Sequence, residues 1–174
     1  MRYKKRQPPN QKDAAMIFDL PTFTLIHVVL SLVGIIAGLV VVGGLMAGVR
    51  FDGWTGAYLV TTVLTNVTGF GFPFAGVLPS HIVGGISLLV LLAAIAARYW
   101  KHLTGAWRRV FVVATVLALY LNVFVLLAQL FQRLPALIAT APTQKAPAFV
   151  VTQLIVLVLF VGLGRAAVRG FRTG

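Results

Sequence analysis

Four stretches of this chain carry no charged side chain: Leu20 to Val49, Gly53 to Ala97, Val110 to Gln132 and Ala146 to Gly164. Each is long enough to constrain the fold. About 20 predominantly apolar residues make one helical crossing of a hydrocarbon core about 30 Å thick. Inside that core every backbone N–H and C=O must be satisfied internally, so helices and closed barrels are the available solutions. The apolar runs are continuous rather than alternating, which excludes a barrel. An all-α integral membrane helical bundle follows. Composition agrees: 59% of the residues are hydrophobic and 10% charged, against roughly 25% charged in a soluble domain.

The charges that remain are one-sided. Fifteen Lys and Arg face three acids, Asp13, Asp19 and Asp52, for a net +12. In a soluble domain that balance would point to nucleic acid. Here the basic residues flank the apolar runs, where they set orientation and meet anionic lipid headgroups. The expected partners are therefore the lipid bilayer with its anionic lipids and other membrane subunits, and not nucleic acid. The chain has no cysteine, so disulfides and thiolate metal sites are excluded. The first apolar run is too long for a signal-peptide core and no A-x-A site follows it, so it is expected to stay as a helix.

Residues 1–18, MRYKKRQPPNQKDAAMIF, read as a basic, flexible tail with five Lys and Arg; Pro8-Pro9 forbids a helix at its start. Residues 19–174 read as a single transmembrane domain. The first helix is expected over about 22–48, started by Asp19, Pro21 and Thr22. It carries Gly34-x-x-x-Gly38 and Gly44-x-x-x-Gly48, small residues four apart that let a second helix approach closely. The uncharged stretch of 45 residues from Gly53 to Ala97 is too long for one crossing. Gly69, Gly71, Pro73, Gly76 and Pro79 supply a turn within it, giving helices at about 55–70 and 80–100, with Ser80 as N-cap. The earlier of these carries Thr61, Thr62, Thr65, Asn66 and Thr68, hydroxyls and an amide that bond back to their own helix or across to a neighbour. Further helices are expected at about 108–131 and 148–169, separated by a proline-bounded loop. Asn122 and Gln129 lie seven residues apart on one helix face, which is expected to look into the bundle because an amide facing lipid is unfavourable.

This makes five crossings, with four as the alternative if 55–78 does not span. With four, the side holding the tail carries twelve basic residues against three; with five, the two sides carry seven and eight, or two and eight without the tail. Charge thus favours four, whereas length favours five, since an apolar stretch left beside the bilayer would expose a large apolar patch. Five is the expectation adopted.

The runs LTNVTGFGFPFAGVLPSHIVGGISLLVLLAAIAARY and GAWRRVFVVATVLALYLNVFVLLAQLF, followed by APTQ, resemble a group of bacterial multipass membrane proteins related to a domain of unknown function. The resemblance covers roughly residues 22–172. In that group a TGF-type helix end, a short turn and a Pro-x-His helix start form a membrane hairpin, here Thr68-Gly69-Phe70 and Pro79-Ser80-His81. The resemblance implies that 55–70 crosses, that the membrane is a bacterial inner membrane, and no activity.

Candidate chemistry is sparse. His102 lies in a basic loop and reads as a headgroup-facing residue. His27 and His81 stand near the starts of their helices, where a histidine can reach water or a headgroup; deeper in a membrane an ionisable residue is a functional candidate. With five crossings the two imidazoles would lie on one side at similar depth, a spacing that could hold a b-type haem. None of the three acids lies within an expected crossing, which argues against a proton-coupled carrier, and no nucleophile elbow or triad context marks an enzyme. The leading expectation is therefore a non-enzymatic structural or accessory subunit of a larger inner-membrane complex, with no cofactor. The alternatives are a haem-binding electron-transfer protein using His27 and His81, and a small transporter or channel.

Overall fold

The computed structural model describes residues 20–72 and 79–171, and among them the fold is all-α. The helices are α1 (Leu20–Met46), α2 (Asp52–Gly69), α3 (Pro79–Ile95), α4 (Trp107–Arg133), α5 (Pro135–Thr140) and α6 (Pro147–Gly170). A π-helical turn, Ala96–Trp100, continues α3. Four segments are long and apolar enough to cross a membrane: Thr22–Met46, His81–Trp100, Trp107–Arg133 and Pro147–Gly170. The basic tail expected over 1–18 and the centre of the expected turn, Gly76 included, lie outside the described residues.

Successive long helices run antiparallel. Gly44 of α1 lies against Phe51, Gly38 against Tyr58, and Gly34 against Thr61 and Thr62, while at the far end His27 meets Thr68. α2 therefore retraces α1 from one end to the other, over about 25 Å at 1.5 Å per residue between positions 27 and 44. α3 returns past α2, with Gly84 beside Phe70. α4 and α6 pair in opposite directions, Phe131 on Phe149 at one end and Phe111 near Phe171 at the other. α4 sits centrally, packed on α1, α3 and α6. One end of the bundle thus gathers the ends of α1 and α6 with the starts of α2 and α4; the opposite end gathers His27, Thr68, His81 and the loop after α4.

α2 is more polar than its neighbours because Thr55, Thr61, Thr65 and Thr68 occupy it, and each of these hydroxyls donates to a carbonyl one turn back, at 2.7–2.8 Å. Asn66 donates in the same way to the Thr62 carbonyl at 2.7 Å. Buried amid the bundle, Asn66 is not presented as a surface acceptor for glycosylation.

Three sequence expectations need correction. Gly48 packs closely on another helix, its built Cβ 3.2 Å from the Gly170 carbonyl of α6, but from beyond α1 rather than on it: α1 ends at Met46, and Gly48 takes a left-handed φ of +73°. Its N–H donates to Leu45 and that of Val49 to Gly44, the paired bonds of a Schellman close, in which glycine avoids the Cβ clash. Gln129 is exposed, accepting a 3.3 Å bond from Arg133 Nε, because at this level of α4 the side turned inward is that of Ala128 and Phe131, which pack with Ala141 and Phe149; Asn122 alone of that pair is buried. The proline-bounded loop is not wholly irregular either, since Pro135 at N1 starts the short α5.

Candidate functional site

At the end where α1 begins, the tip of α2 separates the two candidate histidines. His27 Nδ1 lies 2.9 Å from Thr68 Oγ1. The Thr68 hydroxyl also lies 2.8 Å from the Leu64 carbonyl, and which partner donates in the His27–Thr68 bond follows the imidazole tautomer. The His27 ring also packs edge-on to Phe72, centroids 5.2 Å apart. His81 lies instead on Phe70, at 5.6 Å. The two imidazoles are thus at one end of the bundle, but each packs on its own phenylalanine on the α2 tip. α2 packs on both α1 and α3 and fills the space in which two facing histidines would grip a macrocycle. Among the described residues no group of three or more His, Asp or Glu side chains gathers to hold a metal ion.

Of the expected packing glycines, Gly34, Gly38 and Gly44 face α2. A Cβ at Gly38 would come within 2.7 Å of Leu119 Cδ1 and 2.8 Å of Tyr58 Cε2. Sequence reasoning missed Gly170, where a Cβ would collide with the Met46 carbonyl, although Ala166-x-x-x-Gly170 gives it the small-xxx-small spacing that signals a close approach. It also missed Gln153, whose Nε2 donates to the Phe124 carbonyl at 3.1 Å and ties α6 to α4.

The opposite end holds the densest polar geometry. Arg98, on the π-helical turn, has a side chain only 10% exposed, and its Nη2 donates to Asp52 Oδ1 at 2.6 Å. Its guanidinium also stands over the rings of Tyr99 and Phe111, at 5.5 and 5.6 Å. Arg98 Nε is buried with no hydrogen-bond partner among the described residues. Arg50 approaches the same Asp52 oxygen at 3.6 Å. Asp52 stands exposed at the head of α2, and the Arg98 hydrogen bond holds its carboxyl below the usual carboxylate range. Beyond the π turn, His102 and Leu103 both take left-handed backbone angles, φ 47° and 58°. The turn is held because the Leu103 side chain is buried and its N–H bonds to the Ala97 carbonyl at 2.9 Å. Arg50, Arg98, Tyr99, His102 and Leu103 line a half-open cleft of about 230 Å³. The sequence marked this loop as basic and aromatic, but a salt bridge between residues 46 positions apart leaves no local signature.

The fold and these two ends define a helical protein of membrane-crossing type. No family model, curated protein or solved structure matches the chain, so the likeness to the bacterial multipass group rests on the motifs alone.

Proposed function

We propose that the chain is a five-crossing protein of the bacterial inner membrane that serves as a structural or accessory subunit of a larger membrane complex, without chemistry of its own. The observation that carries this reading is how the middle of the bundle is filled. Tyr58, Leu91, Leu119 and Ala118 are fully buried there, Thr61 and Thr65 of α2 turn their hydroxyls back onto their own carbonyls, and the Thr62 hydroxyl is buried among them with no hydrogen-bond partner among the described residues. A conducting or carrier path needs polar groups lining a continuous opening; a plug of packed apolar side chains suits a scaffold better. The outer face of α6, with Val151, Leu154, Ile155, Val158 and Leu159 exposed, offers an apolar surface to lipid or to a neighbouring subunit.

Five crossings are supported by the antiparallel course of α2 along α1. If α1 spans, its partner reaches the same depth. Orientation is supported by charge among the described residues: Arg50, Arg98, Lys101, Arg108, Arg109, Arg165 and Arg169 belong to one end, against Arg133 and Lys145 at the other. The positive-inside rule then puts the richer end in the cytoplasm. Single cysteines in place of Gly53 and Trp107 test the count. Five crossings require both to be labelled from the same side; labelling from opposite sides overturns that count. The accessory role is tested by blue-native electrophoresis and mass spectrometry after solubilisation in mild detergent. A larger assembly with reproducible partners is expected, and a chain that migrates alone overturns the role.

A further inference from the structure

We propose that the cleft between Arg50, Arg98 and His102 binds the phosphodiester headgroup of an anionic lipid. This rests on the membrane reading above but not on the accessory role.

Charge comes first. Among the described residues two guanidinium groups meet a single carboxylate, Asp52, so one positive charge is uncompensated there, and Asp52 engages Nη2 of Arg98 while Nε has no acceptor among them. A buried guanidinium N–H without a partner is unfavourable. Arginine's planar fork matches phosphate oxygens, and an oxygen bridging Arg50 and Arg98 would supply what Asp52 alone does not.

Backbone geometry is the second argument. A π turn and two successive non-glycine residues in the left-handed region coincide at the rim. Such conformations are strained and gather at ligand clamps. Here they fold the chain back so that His102 joins Arg98 on the cleft wall.

Depth is the third. Trp100 is 74% exposed, and Tyr99 and Trp107 are also open at this end. Such aromatics mark the level of lipid headgroups, and basic pockets between membrane helices at the cytoplasmic face recognise them. The walls supplied by Tyr99 and Leu103 suit the glycerol end of a lipid better than a fully hydrated free anion.

The test uses the full chain in neutral detergent, with bound lipid measured by native mass spectrometry against phosphatidylglycerol, phosphatidylcholine and inorganic phosphate. Phosphatidylglycerol is expected to be retained roughly tenfold more tightly than phosphatidylcholine, the difference one charge-assisted hydrogen bond makes, with the preference shrinking at high salt. Arg50→Gln, at a half-exposed position, should remove most of that preference while leaving the helical circular dichroism unchanged. Asp52→Asn should strengthen retention, because it withdraws the competing carboxylate. Equal retention of the two lipids, an Arg50→Gln protein that retains lipid like the parent, weaker retention in Asp52→Asn, or displacement of lipid by inorganic phosphate would each overturn the proposal. None of those results touches the membrane reading, which fails separately if the protein stays soluble without detergent.

Discussion

Tyr58 on α2 donates its hydroxyl to the main-chain carbonyl of Thr115 on α4 across 2.9 Å, and both side chains are fully buried. That single bond ties the most polar helix to the central one. Its ring also occupies the space that Gly38 leaves open on α1, so three helices meet at one side chain. Tyr58→Phe keeps the ring and removes the bond. It is expected to lower unfolding free energy by about 0.5–1.5 kcal/mol, whereas Tyr58→Ala, which also opens a cavity, should lose about 3–5 kcal/mol as large aromatic truncations do. Unfolding in mixed micelles distinguishes the two; a Tyr58→Ala protein as stable as Tyr58→Phe would mean the ring is not part of a packed core.

The glycines of α1 separate by environment. Gly38→Ala sets a methyl against Tyr58 and Leu119, and the hydroxyl bond keeps the Tyr58 ring from moving aside, so a loss of about 1–3 kcal/mol is expected. Gly43, five residues on, has nothing within 4 Å of a built Cβ. Gly43→Ala should be neutral or stabilise by about 0.5–1 kcal/mol through the backbone alone. Gly170→Ala meets the Met46 main chain rather than a side chain and is expected to be the most damaging of the three. Melting temperatures of the set in one detergent check the order.

What the sequence made legible was set by solvent. Lipid forces each crossing to be apolar and helical, so the charge-free runs located every long helix to within about three residues of the ends found. The Thr-rich composition of α2 likewise foretold bonds to its own carbonyls, since those depend on residues one turn away. Features that depend on distant partners were not legible. Gln153 finds Phe124 across two helices, and Arg98 finds Asp52 only once the start of α2 and the end of α3 stand at the same level. Gln129 was misread because a seven-residue spacing fixes the face of a helix but not which neighbour covers that face along its length: near its end α4 turns Ala128 and Phe131 inward instead. The π turn is closed by the Lys101 N–H to Ala96 bond, which no pattern in AARYW announces.

The placement of His27 bears on cofactor content. With α2 lying between α1 and α3, His27 and His81 do not face each other across open space. The purified protein is expected to show no Soret band. A band that disappears in both His27→Ala and His81→Ala would contradict this and restore haem ligation. Thr68→Val should instead leave the visible spectrum flat and lower stability by about 0.5–1.5 kcal/mol, the range for one hydrogen bond.

Asp52 and Arg98 give a prediction in which stability and binding move in opposite directions. Asp52→Asn weakens the partner of a largely buried guanidinium, so the lipid-free protein should melt at a lower temperature. The wild-type carboxyl is held below its ordinary value of 3.8 by the Arg98 bond. A depressed folded-state value means the contribution is complete above the ordinary carboxylate range and is lost as pH falls through the lower one. The gap between wild type and Asp52→Asn should therefore be full at neutral pH and close in acid, below 3.8. Asp52 is exposed, so the gap is modest and shrinks with added salt. The same substitution should tighten retention of phosphatidylglycerol, because Arg50 and Arg98 lose their internal anion. Melting curves across pH, with and without that lipid, measure both effects on one pair of proteins. A gap that persists unchanged in acid would show that Asp52 acts through its shape rather than its charge.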